Sequence, residues 1–374
     1  MKAVQLEKPH GYKKGDRMTV EVREVAIPTV NQDTVLVKIL AAGMNRRDEW
    51  SALGLYPGLT FQHSTLGCDG CGVIVDPKTL EPESSDTLYL LTPSRGWEKD
   101  PIGAEAALPN APDDIARNEF GGKGFAILGA TQEVNGAGTF AEYIAVKRSQ
   151  LVPAPKHLSA VSSASLPCAA VTAYRAAFTK ANIQAGQNVL ITGIGGGVAL
   201  LALQLVTAAG ANVYVTGGSS QKIDKAIALG AKAGASYRDQ DWPHQIRQKL
   251  PAERPYLDAV IDSAGGDINV QALSAGLRDG GTVAIYGMTA VPKTTFTMRD
   301  VLKNVNVQGT TLGSNHEFSE SIRFIEKHRI NPCIDTVLGG LEHVHQGLGL
   351  LADAEKRSGG KVVIEIAHST RATL

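Results

Sequence analysis

An excess of charge of either sign is missing from this chain: of its 374 residues, Lys and Arg make up 37 and Asp and Glu another 37. A neutral balance builds no basic field, so neither nucleic acid nor an anionic membrane surface is expected as a partner. Cysteine is scarce. Cys68, Cys71, Cys168 and Cys333 do not make a disulfide framework in a chain of this length. No targeting signal is expected either. Residues 1–20 show neither an apolar core nor an Arg- and Ser-rich amphipathic pattern, and the last three residues, Ala-Thr-Leu, are not a peroxisomal signal. A reducing cytoplasm is the expected compartment. Residues 181–221 carry no charge at all, yet three consecutive glycines and Gln204 break any apolar span of about 20 residues, so no transmembrane helix is expected.

Glycine, by contrast, is abundant: 40 residues, above the usual ~7%. Many tight turns and close backbone approaches are implied. The length exceeds what one hydrophobic core organises, so two domains are expected. The most informative stretch is residues 188–222. Residues 189–192 form a short β-branched run of the kind that becomes a buried parallel strand. Gly193, Gly195, Gly196 and Gly197 follow, then an apolar, Leu- and Ala-rich run at 198–209 that predicts a helix ending at Gly210. Residues 212–216 read as the next strand. Strand, glycine turn, buried helix and strand make a βαβ unit whose turn brings backbone N–H groups and a helix N-terminus to a pyrophosphate. The fingerprint spacing is Ile194-x-Gly196-x-x-Ala199, which departs from the usual glycines at its first and last positions. Gly195, Gly196, Gly197 and Val198 are the predicted phosphate contacts.

An acid is missing where it would matter. An NAD site places Asp or Glu about 20 residues after the fingerprint, on the ribose 2′-hydroxyl. Here the second strand ends in Gly217-Gly218-Ser219-Ser220-Gln221-Lys222. Two hydroxyls and a lysine suit a 2′-phosphate, so NADPH is the expected cofactor, with Ser219 and Lys222 as contacts.

The rest of the chain splits by pattern. Up to about residue 155 it reads as mostly β, with strands at 35–41, 72–76 and 139–146. A Pro-, Gly-, Asp- and Asn-rich segment at 93–138 has the length of a functional or mobile loop. From residue 159 helices alternate with short strands: helix at 159–180 broken at Pro167, then helices at 221–229 and 243–250. Strands follow at 257–262, 282–286 and 305–310. This calls for a doubly wound parallel sheet of about six strands. Helices at 317–327 and 341–356 and a strand at 361–366 close the chain, that strand completing the N-terminal β domain. Ser263, Ala264, Tyr286 and Gly287 stand just after strands, where open α/β sheets bind ligands.

Several local motifs, taken together with this domain order, carry a resemblance. They are Ala42-Gly43-Met44-Asn45-Arg46-Arg47-Asp48, Leu66-Gly67-Cys68-Asp69-Gly70-Cys71-Gly72-Val73, Gly138-Thr139-Phe140-Ala141-Glu142-Tyr143, and Leu166-Pro167-Cys168-Ala169-Ala170-Val171-Thr172-Ala173-Tyr174, with the glycine turn. The chain resembles the medium-chain dehydrogenase/reductase superfamily nearly end to end. It looks most like the quinone oxidoreductase (zeta-crystallin-like) branch and the zinc-type alcohol dehydrogenase-like members. The resemblance implies an α/β protein with a GroES-like, mostly β catalytic domain at 1–156 and 316–374 and a Rossmann domain at 157–315. It implies nicotinamide-side positions at Asn45, Asp48 and Thr172, an aromatic by the 2′-phosphate at Tyr237, and subunit pairing through 305–310 in a homodimer or tetramer.

The same resemblance exposes what is missing around a metal. Zinc-dependent members carry Cys, His-Glu and Cys at the catalytic zinc and four close cysteines at a structural one. Here Asn45, Cys68-Asp69 and Cys168 stand at the catalytic positions, and 93–138 lacks cysteine altogether. Asn45 is a poor ligand, although Cys68, Asp69 and Cys168 can in principle supply three. No metal is expected. The Cys68-x-x-Cys71 pair has no second pair beside it and reads as core packing.

Without a Lewis acid, alcohol–ketone exchange is disfavoured and hydride delivery to an electron-poor acceptor is favoured. The expectation is an NADPH-dependent reductase of quinones or α,β-unsaturated carbonyls, with Asn45 and Tyr56 as candidate donors to the oxygen that gains charge. The alternatives are a zinc-assisted alcohol dehydrogenase and a non-catalytic NADPH-binding sensor or scaffold.

Overall fold

A computed structural model describes residues 1–13, 15–61, 63–84 and 87–367; the terminal Ala-Thr-Leu lies outside them. Two compact units emerge. One holds 1–168, 314–357 and 361–367, and the other holds 169–313 with 358–360.

The first unit is built on one long strand. β1 (Lys2–Glu7) pairs antiparallel with β2 (Thr19–Glu24), both ahead of β3 (Thr34–Met44). Eleven residues of mostly Val, Leu, Ile and Ala let β3 serve three neighbours. Its last residue leads through Asn45 into α1 (Arg46–Ala52). β4 (Ser64–Thr65) adds to β1, and β5 (Asp69–Val75), buried throughout, lies along β3 with Gly43 opposite Asp69. β6 (Tyr89–Leu91) follows on the far side of β5.

Residues 93–138 are an ordered lobe. β7 (Ser94–Arg95) and β8 (Ala126–Ile127) form a ribbon around the short helix α2 (Asp113–Ala116). Arg95 and Glu119 make a 2.7 Å ion pair with both side chains buried, and the Glu105 carboxylate accepts the N–H groups of Glu98, Lys99 and Asp100 at 2.8 Å each. A segment with so little regular structure is held by side chains that satisfy its backbone. β9 (Tyr143–Lys147) then takes the first half of one β3 edge, and β10 (Leu151–Pro153) pairs with β6. Helix α3 (Ala160–Ala164) packs on β3, β5 and a later strand at Lys361–Glu365. α4 (Pro167–Tyr174) opens on Pro167, whose absent N–H has no partner to lose at a first helical position.

The second unit is a six-stranded, all-parallel sheet. β11 (Asn188–Ile191), α5 (Gly197–Ala208), β12 (Asn212–Gly217) and α6 (Ser220–Ala228) form the βαβα core read from sequence. β13 (Ala233–Ser236), α7 (Trp242–Gln248) and β14 (Leu257–Asp262) continue it. Next come the two-residue β15 (Gly265–Gly266), α8 (Ile268–Ser274), β16 (Leu277–Ile285), β17 (Val291–Thr294), α9 (Met298–Leu302) and β18 (Asn306–Gly309). The sheet order β13-β12-β11-β14-β16-β18 is the doubly wound one, with its reversal between β11 and β14.

The chain then returns to the first unit with α10 (Asn315–Lys327), β19 (Ile334–Gly339), α11 (Val344–Ala352) and β20 (Lys361–Glu365). β20 takes the second half of the β3 edge, Val362 opposite Met44, and carries β19 on its other side. Val4, Leu6, Met44, Phe140, Leu348 and Ile364 fill one core against it. No helix among the described residues is long and apolar enough to cross a membrane.

Candidate active site

Three strand ends meet in the first unit. The pairing of Gly43 with Asp69 and of Met44 with Val362 brings Asn45, Asp69 and Lys361 together, although Asp69 and Lys361 are 292 residues apart. Asp69 is the hub. Its Oδ2 accepts from Lys361 Nζ at 2.8 Å and from Asn45 Nδ2 at 2.9 Å; its Oδ1 accepts the Cys168 N–H at 2.8 Å. Lys361 Nζ also donates to Asn45 Oδ1 at 2.6 Å. The Asn45 amide is therefore fixed at both ends, its Nδ2 also lying 3.4 Å from Cys68 Sγ. Burial disfavours the Lys361 ammonium, but the Asp69 carboxylate together with Cys168 and Cys68 beside it outweighs burial, and the pKa moves up.

Asn45 also begins α1. Its backbone N–H donates to Asp48 Oδ2 at 2.7 Å, the N3 acid reaching back as in a capping box. The other carboxylate oxygen of Asp48 is buried without a hydrogen bond, and burial above all raises this acid to about 6. Arg47 stacks its guanidinium over the Tyr56 ring, 4.2 Å from the centroid, and donates to the carbonyls of Leu128 and Gly129. Burial pushes the Tyr56 phenol up, so it keeps its proton at neutral pH. Asn45, Asp48 and Tyr56 thus share one cluster with Cys68, Asp69 and Cys168.

Whether zinc fits this cluster is a question of donor state. One sulfur each from Cys68 and Cys168 and an oxygen from Asp69 lie within 4.8 Å of one another. A zinc takes thiolates and an available carboxylate. Here the carboxylate is already taken by Lys361, Asn45 and Cys168. The hydrogen bond to Cys168, then burial and the Asp69 charge, hold the Cys68 thiol well above its ordinary value. A zinc about 2.1 Å from either Asp69 oxygen would lie within about 7 Å of Lys361 Nζ, which sits 2.8 Å from Oδ2, while Cys68 Sγ faces Oδ1 at 3.6 Å. At an effective dielectric of ~20 and separations of about 5–7 Å that repulsion is roughly 5–7 kcal/mol. In this arrangement the residues do not fit zinc. Cys71, by contrast, is a buried residue of β5 and belongs to the packing.

The second unit has a candidate site of its own. Gly193, at φ +65°, turns the chain after β11, and Gly196 caps α5. A Cβ built on Gly196 would meet only Gly193 O, at 3.6 Å, so that direction from the turn is open, while on another side the Gly360 N–H donates to Gly195 O at 3.3 Å. The first N–H groups of α5, Gly197 and Val198 among them, have no partner inside the helix. A pyrophosphate fits that place. At the end of β12, Ser219 caps α6 without using its hydroxyl for the cap. A Cβ on Gly195 would lie 2.9 Å from Lys222 Cδ, and one on Gly218 2.4 Å from the Tyr237 hydroxyl. Ser219, Lys222 and Tyr237 therefore surround the acid-free turn. After β14, Asp262 accepts from Thr192 Oγ1 at 2.5 Å and from the Ala264 and Gly265 N–H groups at 3.1 and 2.8 Å. Its carboxylate is spent on shaping the loop of Ser263 and Ala264. The Tyr286 hydroxyl hydrogen-bonds Ser263 and is pushed up by burial, and Gly287 lies against Ser263. Thr172 is buried on α4 in this unit.

Sequence reasoning missed Lys361 and Arg47. The signal for Lys361 was a lysine opening the buried run Lys361–Ile364, because a buried ammonium demands a counter-ion.

Residues 197–327 match the family model described as zinc-binding dehydrogenase. The chain is 39% identical over 355 residues to the zinc-type alcohol dehydrogenase-like protein YogA of Leptosphaeria maculans, covering 93% of this chain and 94% of that protein. It is 27% identical to a crotonyl-CoA carboxylase/reductase of Cereibacter sphaeroides, over 85% of this chain and 77% of that one. Among solved structures, an NAD-dependent alcohol dehydrogenase superposes with a TM-score of 0.79 at 27% identity, spanning 98% of this chain and 100% of its own.

Proposed function

The chain belongs to the zinc-type alcohol dehydrogenase-like proteins of the medium-chain dehydrogenase/reductase superfamily, and from that premise we propose an NADPH-dependent oxidoreductase that reduces a quinone or an α,β-unsaturated carbonyl without a metal. The observation that carries it is the end of β12: Ser219, Lys222 and Tyr237 gather there, and no acid stands in 217–222 to repel a 2′-phosphate. Kinship to a crotonyl-CoA carboxylase/reductase supports an activated double bond as the acceptor.

When bound, NADPH supplies the hydride. The chain's own residues do the rest. Gly195, Gly196, Gly197 and Val198 would hold the pyrophosphate, and Ser219 and Lys222 would hold the 2′-phosphate beside Tyr237. Ser263, Ala264, Tyr286 and Gly287 stand at the strand ends, and by the family resemblance Asn45, Asp48 and Thr172 would be the residues that serve the nicotinamide. Reduction of the acceptor's carbon would build charge on its oxygen, where a neutral donor lowers the barrier. Tyr56 donates its phenolic proton there, and Asn45 orients the acceptor from an amide locked by Lys361 and Asp69. The enzyme works as a homodimer in a reducing compartment.

The test is NADPH oxidation by chelator-treated, metal-analysed protein against a panel of quinones and enones, with NADH alongside. Turnover on zinc-free protein with NADPH preferred is the expected result. Activity lost on chelation and restored by zinc would move the assignment to alcohol oxidation. Tight NADPH binding with no acceptor reduced would leave a sensor.

A further inference from the structure

Lys361 stands where a metal's donors converge. Its side chain is 7% exposed and that of Asp69 not at all, and the two are joined at 2.8 Å. The same carboxylate groups with the sulfurs of Cys68 and Cys168 in a set whose ligand atoms lie within 4.8 Å of one another. Two thiols and a carboxylate match in number and type the three protein ligands of a zinc with one open position. One carboxylate thus faces two claimants, an ammonium on Oδ2 and a divalent ion on the side of the sulfurs, and their like charges would repel across about 7 Å or less.

We infer that Lys361 is a built-in cation that holds this set against divalent metals, and that removing its charge converts Cys68, Asp69 and Cys168 into a metal site. The inference deepens the metal-free reading above and rests on it. The ammonium is hard to displace because its backbone belongs to β20, paired with β3 on one side and β19 on the other. Asn45 closes the arrangement by accepting from Lys361 at 2.6 Å while donating to Asp69 at 2.9 Å. Arg47 adds a second positive charge beside Cys68. A tethered cation of this kind has no dissociation equilibrium, so metal supply would not govern the site.

The experiment is cobalt(II) chloride titration of the full-length protein, read by bound metal after desalting and by the thiolate-to-cobalt absorption band. The wild type is expected to take up no cobalt with a thiolate band. Lys361→Met is expected to bind one equivalent, with the band, at least ~100-fold more tightly than the wild type, since a like charge has gone. Cys168→Ser in that background should abolish the band, and Lys361→Arg, which keeps the charge, should stay metal-free. A stoichiometric thiolate band in the wild type overturns the inference, as does a folded Lys361→Met protein that binds no cobalt. Should Lys361→Met fail to fold, Lys361→Gln carries the same expectation, and the wild-type titration decides on its own. None of these readouts uses turnover, so a protein that binds no metal but reduces no acceptor counts against the proposed reaction and not against the lysine.

Discussion

At the scale of single residues, two side chains have separable consequences. Asp48 is raised to about 6 chiefly by burial, against an ordinary 3.8. The folded state therefore holds its proton more tightly than the unfolded chain does. Stability from this group is greatest below pH ~4 and declines as pH rises through ~6, by an amount on the order of 2–3 kcal/mol. Asp48→Asn removes the titration, so the gap between variant and wild type in urea unfolding should change steadily from pH 4 to pH 6 and level off above. A gap independent of pH would show that burial does not govern this acid. Lys222 acts on affinity instead. Lys222→Ala should weaken NADPH by about 1–3 kcal/mol, the range for a charge-assisted contact, and leave NADH nearly unchanged by calorimetry. Equal losses for both cofactors would remove Lys222 from the 2′-phosphate.

Elements were legible where their pattern is local. The run Asn188–Ile191, the glycines and the Leu- and Ala-rich α5 announce a βαβ unit because strand, turn and helix each have their own composition. Gly196 carries a sharp consequence of that unit. Its backbone at φ −81°, ψ 147° suits any residue, and a Cβ there meets only Gly193 O. Gly196→Val should therefore leave the circular dichroism and melting of the protein close to wild type while eliminating NADPH binding. Retained binding would mean that the phosphate lies elsewhere. What stayed hidden was non-local. Residues 93–138 read as a loop because the Arg95–Glu119 pair that orders them leaves no periodic trace. That pair predicts its own energetics. Glu119→Ala should cost ~3–5 kcal/mol by stranding a buried guanidinium, whereas Arg95→Met with Glu119→Leu should cost far less, as urea unfolding of both proteins would reveal. Lys361 was hidden for the same reason as the lobe, its partner lying at the head of another strand. A sequence pattern announces the strand but not the register that makes the site.

At the scale of the whole molecule, the doubly wound sheet leaves one feature unresolved within the chain. Among the described residues β18 pairs with β16 alone, so one of its edges has no strand neighbour there. Beside it in sequence, Met298 and Leu302 of α9 are 69% and 73% exposed, and Phe296 and Val301 are exposed with them. An open edge next to an apolar surface invites association unless a partner covers it. A second copy of the chain satisfies both at once, since a two-fold axis lets the same patch meet itself. The protein is therefore expected to be a dimer in light scattering across a wide concentration range. Met298→Glu combined with Leu302→Glu sets like charges against each other across such an axis and should give a monomer with unaltered secondary structure. A wild type that is monomeric at every concentration would overturn the dimer. A dimer that survives both glutamates would place its interface on another face.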